Sequence, residues 1–495
     1  MENKKLSLLT LSIFGLAFAL RTVNLGLWPV FADESIYVRW AQVMKAESTL
    51  RFLPLSDGKQ PFYMWVLMPV LKFISDPLVA GRLLSALVGS FGVLGIGFLV
   101  YVLFKNVRMA FISMLVYAVL PYSVLFSRMA LVDTMLTTFV IWGVGLFILG
   151  LEKQRLDYAM FSGFAFGFAW LTKSPAMVVL LLLPLTFFLV PWSKKNIGYL
   201  VVVWVMAWCM YNILRLGPEF HMIALRNKDY IRPFSELLKN PLDPFVPHTR
   251  ASIEFFWYLF TPVGLILSLW GAISGRLNYW RQRLVLVGFW LLPIFAQATV
   301  AKVLTARYLL FTIPFAAILA TLAVDEIGQR SQKHILTWIT ASLFVVTCLY
   351  TNFFILFSPE NLPLPRIERA GYLEEWTAGQ GIREVSKYLR EQGKTKNILV
   401  GSEGFFGTPF SALEMYLNGI NNIRVIGVGS RVDKVDQKLI QSLVDNDVYL
   451  VVNSSRFHID QYEGHGLKLI SSYPKAIPPN GEREYLLFFK LNAKN

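Results

Sequence analysis

LVAGRLLSALVGSFGVLGIGFLVYVLF, residues 78–104, decides the fold. Within it stands a single charge, Arg82. A helix needs about 20 apolar residues to cross the hydrocarbon of a bilayer, and this run exceeds that. Working outward, ten further stretches read the same way, at about 6–23, 109–126, 133–151, 158–172, 175–191, 197–214, 254–273, 284–300, 304–324 and 335–357. The composition agrees. Of 495 residues, 55% are hydrophobic and 16% charged, against roughly 25% charged in soluble domains. A large soluble core does not explain this, because it would still need a polar surface. The expected fold is a polytopic α-helical membrane protein of about eleven spans.

Lys4 and Lys5 precede the first run, and Arg21 to Pro29 follow it without a small-residue cleavage site. This predicts a retained first helix with its N-terminus inside. The inside loops then carry Lys105 and Arg108; Lys153 and Arg155; Lys194 and Lys195; Arg276, Arg281 and Arg283; and Arg330 and Lys333. All five are short and basic, as the positive-inside bias requires. Segments 24–77 and 215–253, and everything after 358, fall outside. The same loops account for much of the net charge of +15. Nucleic-acid binding is not expected, since no basic stripe is interleaved with aromatics. Cys209 and Cys348 fall inside apolar spans, so they form no disulfide framework. No Cys/His metal spacing occurs.

In the first outer segment, residues 32–47 carry Ile36, Trp40, Val43 and Met44 at helical spacing. The pattern fits a helix lying in the membrane interface, apolar face down, with Asp33 and Glu34 favoured at its N-terminal end. Residues 62–74 are apolar but too short to cross. Asp76-Pro77 then starts the second span, with proline in its tolerated first turn.

Seven ionisable residues stand at span edges or among apolar neighbours: Asp33, Glu34, Lys59, Arg128, Asp133, Lys173 and Arg307. An ion at the centre of a membrane helix costs about 2.5–3.5 kcal/mol on insertion scales, so such groups ordinarily face a partner or a cavity. The topology puts all seven at the same outer boundary, from five separate stretches of chain. Each has a plainer reading. Asp33 or Glu34 can cap a helix, Arg128 and Asp133 can pair with each other, and Lys173 and Arg307 can snorkel to headgroups. The outer loop 215–253 adds Arg226, Lys228, Asp229, Tyr230, Arg232 and His248; it is either a mobile acceptor loop, contacting substrate through Arg226, Tyr230 and Arg232, or an ordinary solvated loop.

After Phe357 the composition changes. Pro359, Pro363 and Pro365 mark a linker. Runs at Ile398–Val400, Ile423–Gly427, Val448–Val452 and Tyr485–Phe489 read as strands, and residues 380–392 and 433–444 as helices. The expected domains are a transmembrane part, 1–358, and a small extracytoplasmic α/β domain, 359–495.

At the charged positions the chain resembles the GT-C glycosyltransferases, in the branch of protein O-mannosyltransferases and lipid A aminoarabinose transferases. Phe31-Ala-Asp-Glu-Ser-Ile-Tyr37 resembles that family's Asp-Glu motif after the first helix. Lys59-Gln-Pro61 resembles its Lys-Pro-Pro element, and Ser127-Arg-Met-Ala-Leu-Val-Asp133 its Arg-then-Asp motif. Leu171-Thr-Lys-Ser-Pro175 resembles the Thr-Lys-Gly-Pro element. Ala306-Arg-Tyr-Leu309 with Pro314 resembles the Arg-Tyr segment opening a late helix. The five stand in family order over roughly residues 1–325. Two departures occur: Gly58 stands where the aminoarabinose transferases carry a carboxylate implicated in metal binding, and Ser174 replaces the usual glycine.

The resemblance implies a polyprenyl-monophosphate sugar donor, inversion at the anomeric carbon, and a multi-pass enzyme of the plasma membrane with its site outside. Asp33 is the expected general base, with Glu34 or Asp133 orienting it or the acceptor. Lys59, Lys173 and Arg307, with Tyr308 as hydrogen-bond donor and Arg128 nearby, are the expected phosphate-binding groups. No cofactor is expected to be required, and the metal is left open. The acceptor is a protein, lipid or polysaccharide. The alternatives are a GT-C enzyme using a lipid pyrophosphate with a metal, and a transporter or flippase for a lipid-linked sugar.

Overall fold

The computed structural model describes residues 2–240, 242–274, 279–330, 334–479 and 481–493; two of the loop cations, Arg276 and Lys333, lie outside the described residues. Among these, seven helices are long and apolar enough to cross a membrane: Lys4–Thr22, Pro77–Phe104, Val132–Lys153, Lys194–Leu216, Trp280–Val300, Ala306–Ile327 and Ile339–Phe357. Two bent pairs raise the number to nine. The protein is a multi-pass integral membrane protein.

The difference from eleven has local causes. In the stretch read as 109–126, helix Val107–Val119 stops at an extended Leu120 and helix Pro121–Ser127 restarts at a 57° bend. Proline disfavours helical backbone in the residue before it. Residues 254–273 break in the same way at Thr261, before Pro262, with a bend of 112°. The Thr261 hydroxyl caps the new helix by accepting from the Gly264 amide at 3.2 Å. The reading at 158–172 is the 17-residue helix Leu156–Thr172. That at 175–191 is helix Ala176–Leu182 running into a 3-10 turn, Leu183–Leu189.

The chain divides into two compact units. The first comprises Met1–Leu25, Thr49–Val66 and Arg82–Pro365; the second comprises Gly26–Ser48, Leu67–Gly81 and Arg366–Asn495.

In the first unit the core is apolar helix against helix. Helices Pro262–Ile273 and Ile313–Arg330 approach so closely that a Cβ on Gly271 would stand 1.9 Å from the Leu319 carbonyl oxygen. Arginine closes the end of helix Glu2–Thr22. Fully buried Arg21 donates to the Ala17 and Ala118 carbonyls, each at 3.0 Å, and to the Ser123 hydroxyl at 2.8 Å. Arg82 donates to the Leu25 carbonyl at 2.6 Å. Ala17 and Ala118 lie near the C-terminal ends of their helices, where cations are favoured.

The second unit contains two sheets. Strands β1 (Val30–Phe31) and β2 (Ala378–Gly379) form an antiparallel pair. The larger sheet comprises β3 (Ile398–Ser402), β4 (Ile423–Gly427), β5 (Asp447–Asn453), β6 (Leu467–Pro474) and β7 (Tyr485–Leu491), in the order β4-β3-β5-β7-β6. β3 pairs in parallel with β4 and β5; β7 pairs antiparallel with β5 and β6. β6 was not expected, because its alternation is weak.

Helix Ala32–Ala46 corrects one expectation. It does not lie with one apolar face down: Ile36, Tyr37, Val38, Trp40, Ala41 and Met44 are all buried. The Gln42 amide donates to the Met415 carbonyl at 3.0 Å, and Arg39 pairs with Glu414 at 3.4 Å on helix Phe410–Leu417. Protein, rather than lipid, covers the aromatic side of this helix.

Candidate active site

Asp133 lies in the first turn of helix Val132–Lys153 and is 2% exposed. Its Oδ1 accepts a hydrogen bond from Lys173 Nζ at 2.6 Å. Its Oδ2 is buried without a hydrogen-bond partner among the described residues. Lys173 follows the end of helix Leu156–Thr172, in extended backbone. Its ammonium stands 4.1 Å from the centre of the Tyr308 ring, and the Arg307 guanidinium carbon is 5.3 Å from the same ring. Arg307 is buried in the 3-10 turn Ala306–Thr312. That turn is fixed by the Tyr122 hydroxyl, which donates to the Ala306 carbonyl at 2.6 Å.

Lys59 completes the group. Its ammonium donates to the Tyr230 hydroxyl at 2.8 Å and lies 4.3 Å from that ring's centre. The Gln60 amide donates to Ser174 Oγ at 2.6 Å, joining the two short segments that carry Lys59 and Lys173. Burial holds the Lys173 ammonium below the usual lysine range; Asp133 pulls it back up, and the nearby charges of Arg307 and Lys59 push it down. Three cations, one carboxylate and two tyrosine rings therefore share one site in the first unit.

Tyr230 is held there by the main chain. Lys302 N donates to the Tyr230 carbonyl and Arg232 N to the Val300 carbonyl, each at 2.8 Å. Of the other loop residues singled out in the sequence, Arg226 pairs with Asp57 and Asp229, both at 2.7 Å, and Arg232 with Asp243 at 2.7 Å. Asp57 and, to a lesser degree, Asp229 hold the Arg226 guanidinium above its ordinary range. Gly58 has φ +67, and a Cβ there would meet Arg226 Cβ at 2.7 Å and the Met222 carbonyl at 2.9 Å. Glycine is required at 58 by this close approach.

Arg128 falls outside the group. It is 3% exposed and donates to the Leu20 and Asn24 carbonyls, both at 3.1 Å. It pairs neither with Asp133, whose ion-pair partner is Lys173, nor with an acidic side chain elsewhere among the described residues. Free carbonyls at a helix end attract it.

Asp33 and Glu34 belong to the second unit. Glu34 is fully buried, and its Oε2 accepts from the Phe31 amide at 3.0 Å, which makes it the cap of its own helix. Asp33 is half-buried in the first turn.

An apolar groove of about 300 Å³ is lined by Trp170, Met177, Leu180, Trp204 and Trp208, among others. Trp170 and Met177 flank Lys173 in the chain. The sequence reading missed this groove, although Trp204 and Trp208 recur at i and i+4 on one helical face.

Residues 58–214, which include Lys59, Arg128, Asp133 and Lys173, match the family model described as dolichyl-phosphate-mannose-protein mannosyltransferase. No curated protein matches the chain. Among solved structures, ArnT from Cupriavidus metallidurans in the apo state is 13% identical, with 98% of each chain covered and a TM-score of 0.64. ArnT bound to undecaprenyl phosphate is also 13% identical, covering 99% of this chain and 98% of that one, with a TM-score of 0.60. The archaeal oligosaccharyltransferase AglB from Archaeoglobus fulgidus, in complex with an inhibitory peptide and a dolichol-phosphate, is 11% identical. It covers 98% of this chain and 74% of its own length, with a TM-score of 0.51. These likenesses are of fold alone.

Proposed function

We propose that the chain is a membrane glycosyltransferase that moves a sugar from a polyprenyl-phosphate carrier to an acceptor hydroxyl or phosphate on the extracytoplasmic face. The observation that carries this reading is the gathering of Lys59, Lys173 and Arg307 around Asp133, Tyr230 and Tyr308. Cations that crowd and repel one another favour an arriving anion. The tryptophan-lined groove beside Lys173 in sequence suits an isoprenoid tail. The solved ArnT and AglB structures hold undecaprenyl phosphate and dolichol-phosphate, the same class of ligand.

In the proposed reaction the acceptor oxygen attacks the anomeric carbon as the bond from that carbon to the phosphate oxygen breaks, with inversion. The acceptor proton passes to the Asp33 carboxylate as general base. The leaving polyprenyl phosphate gains negative charge, which the fixed cations stabilise more than they stabilise the intact donor. Asp133 holds Lys173 in place. Tyr230 and Tyr308 present ring faces to the ammonium groups and hydroxyls to the donor. The short basic loops orient the site away from the cytosol.

The test is transfer by the purified protein in reconstituted vesicles, with a panel of polyprenyl-phosphate sugars and mass spectrometry of the products. One donor sugar should appear on an acceptor. Lipid-linked sugar crossing the bilayer without transfer would instead make the protein a transporter. Asp33→Asn should lower turnover by about 10²–10⁴-fold, the usual weight of a general base. Normal turnover by that variant removes Asp33 from the role.

A further inference from the structure

In open α/β sheets, ligands bind beyond the carboxyl ends of the strands, where the strand order reverses. The large sheet of the second unit has one such point. β3 lies between β4 and β5: the chain passes from it to β4 on one side, then returns to β5 on the other. Glu403 follows β3 and Asn453 ends β5. Both are buried, as is Lys475. Glu403 accepts from the Asn453 amide at 2.7 Å and from its side chain at 2.6 Å, and Arg456 lies 3.8 Å away. This polar set does not close on itself. Lys475 Nζ donates to Asn453 Oδ1 at 2.5 Å and to the Glu375 carbonyl at 2.9 Å. The Arg456 guanidinium stacks 4.0 Å over the Trp376 ring. The Thr408 hydroxyl, from the loop after β3, donates to the Trp376 carbonyl at 2.8 Å. The switch point holds a piece of the chain itself.

That piece leads to Asp33. Thr377, next to Trp376, accepts from the Ala32 amide at 3.0 Å, and Ala378 and Gly379 pair with Phe31 and Val30. Tyr372 packs its ring 4.6 Å from Phe31. Asp33 is the next residue after Ala32.

We infer that Glu374–Gly379 is a strap setting the position of Asp33, and that Arg456, with Lys475 and Thr408, is a positioning residue for sugar transfer. The role in transfer rests on Asp33 being the general base; the strap itself does not. Displacing a catalytic group by an ångström is enough to cost on the order of 10²-fold. The sheet thus contributes to the reaction without touching substrate.

Two measurements test this on the full-length protein in detergent or vesicles. Hydrogen–deuterium exchange should rise across residues 30–40 in Arg456→Ala, and to a smaller degree in Thr408→Val, which loses only the hydroxyl bond. Unchanged exchange there in both variants overturns the strap, whatever Asp33 does. In transfer assays Arg456→Ala should lose roughly tenfold or more in kcat, leave KM for the lipid donor unaltered and shift the acid limb of the kcat–pH profile. Arg456→Lys, which keeps a cation over the ring, should restore most of the loss. Wild-type kcat and acid limb in Arg456→Ala, in a preparation where Asp33→Asn is inactive, overturn the positioning role. Full activity of Asp33→Asn refutes the base assignment and with it the positioning role, but leaves the strap to stand or fall on exchange.

Discussion

Two groups of cations lie in the first unit, and they resemble each other in sequence. Arg21 and Arg128 form one; Lys59, Lys173 and Arg307 form the other. Their partners separate them. Every acceptor given above for the first group is a main-chain carbonyl or a serine hydroxyl. The second group faces ring faces, a tyrosine hydroxyl and a carboxylate with one unpartnered oxygen. A guanidinium's fixed fork suits several carbonyls at once. An ammonium over a tyrosine ring keeps donors for an arriving anion. Burial of a cation therefore says little about function; the chemistry of its acceptors says more.

The largest expected effect breaks the comparison at Lys173. Lys173→Met should lower kcat about 10²–10³-fold, the usual loss when one donor to developing charge is removed. It also leaves the Asp133 carboxylate buried and unpaired, which costs about 3–5 kcal/mol. The double variant Lys173→Met, Asp133→Asn removes that penalty. It should recover folded yield, measured by thermal unfolding, without recovering turnover. Recovery of turnover would make the pair purely structural.

Arg128→Met should do the reverse. It frees two buried carbonyls at roughly 1–3 kcal/mol each, so thermal stability falls. Specific activity per folded molecule should stay within about twofold of wild type, because surface-independent packing losses act on the folded fraction. A variant that folds normally but has lost donor binding would move Arg128 into the phosphate site.

A smaller effect follows from pH. The Lys173 ammonium is held below the usual lysine range. Its charge is therefore lost as pH rises through a value lower than that of a free lysine. KM for the donor should climb on the alkaline side, earlier than for a typical lysine site. Lys173→Arg keeps its charge there, and its KM should stay flat over the same range. Parallel profiles would exclude Lys173 as the titrating group.

Much of this was legible in the sequence, and the illegible parts share a cause. Apolar runs gave the membrane class because the bilayer imposes length and polarity residue by residue. Asp76-Pro77 marked a helix start correctly: the Asp76 carboxylate accepts from the Leu78 and Val79 amides, both at 3.1 Å. Lys173 and Asp133 stood out as charges among apolar neighbours. Arg128 stood out equally, because sequence shows a charge but not the carbonyls it meets. Trp376, Arg456 and Lys475 gave no signal, since their partners lie up to 100 residues away in the chain. Helix Ala32–Ala46 read as interfacial because periodicity reports an apolar face without saying what covers it.

The smallest expected effect concerns metal. Gly58 departs from the carboxylate found in the aminoarabinose transferases, and the fold explains why a side chain is excluded there. Arg226 Cβ and the Met222 carbonyl occupy its space, and φ +67 suits glycine. Asp57 is already engaged by Arg226 at 2.7 Å. Gly58→Asp should therefore loosen the segment carrying Arg226 and Tyr230, seen as a modest rise in donor KM, rather than create a metal ligand. In the proposed reaction, Lys59, Lys173 and Arg307 supply positive charge for one phosphate. Chelator should then leave the rate unchanged, and added magnesium or manganese should not restore Gly58→Asp. A chelator-sensitive wild type would assign part of the charge to a metal and favour a lipid pyrophosphate as donor.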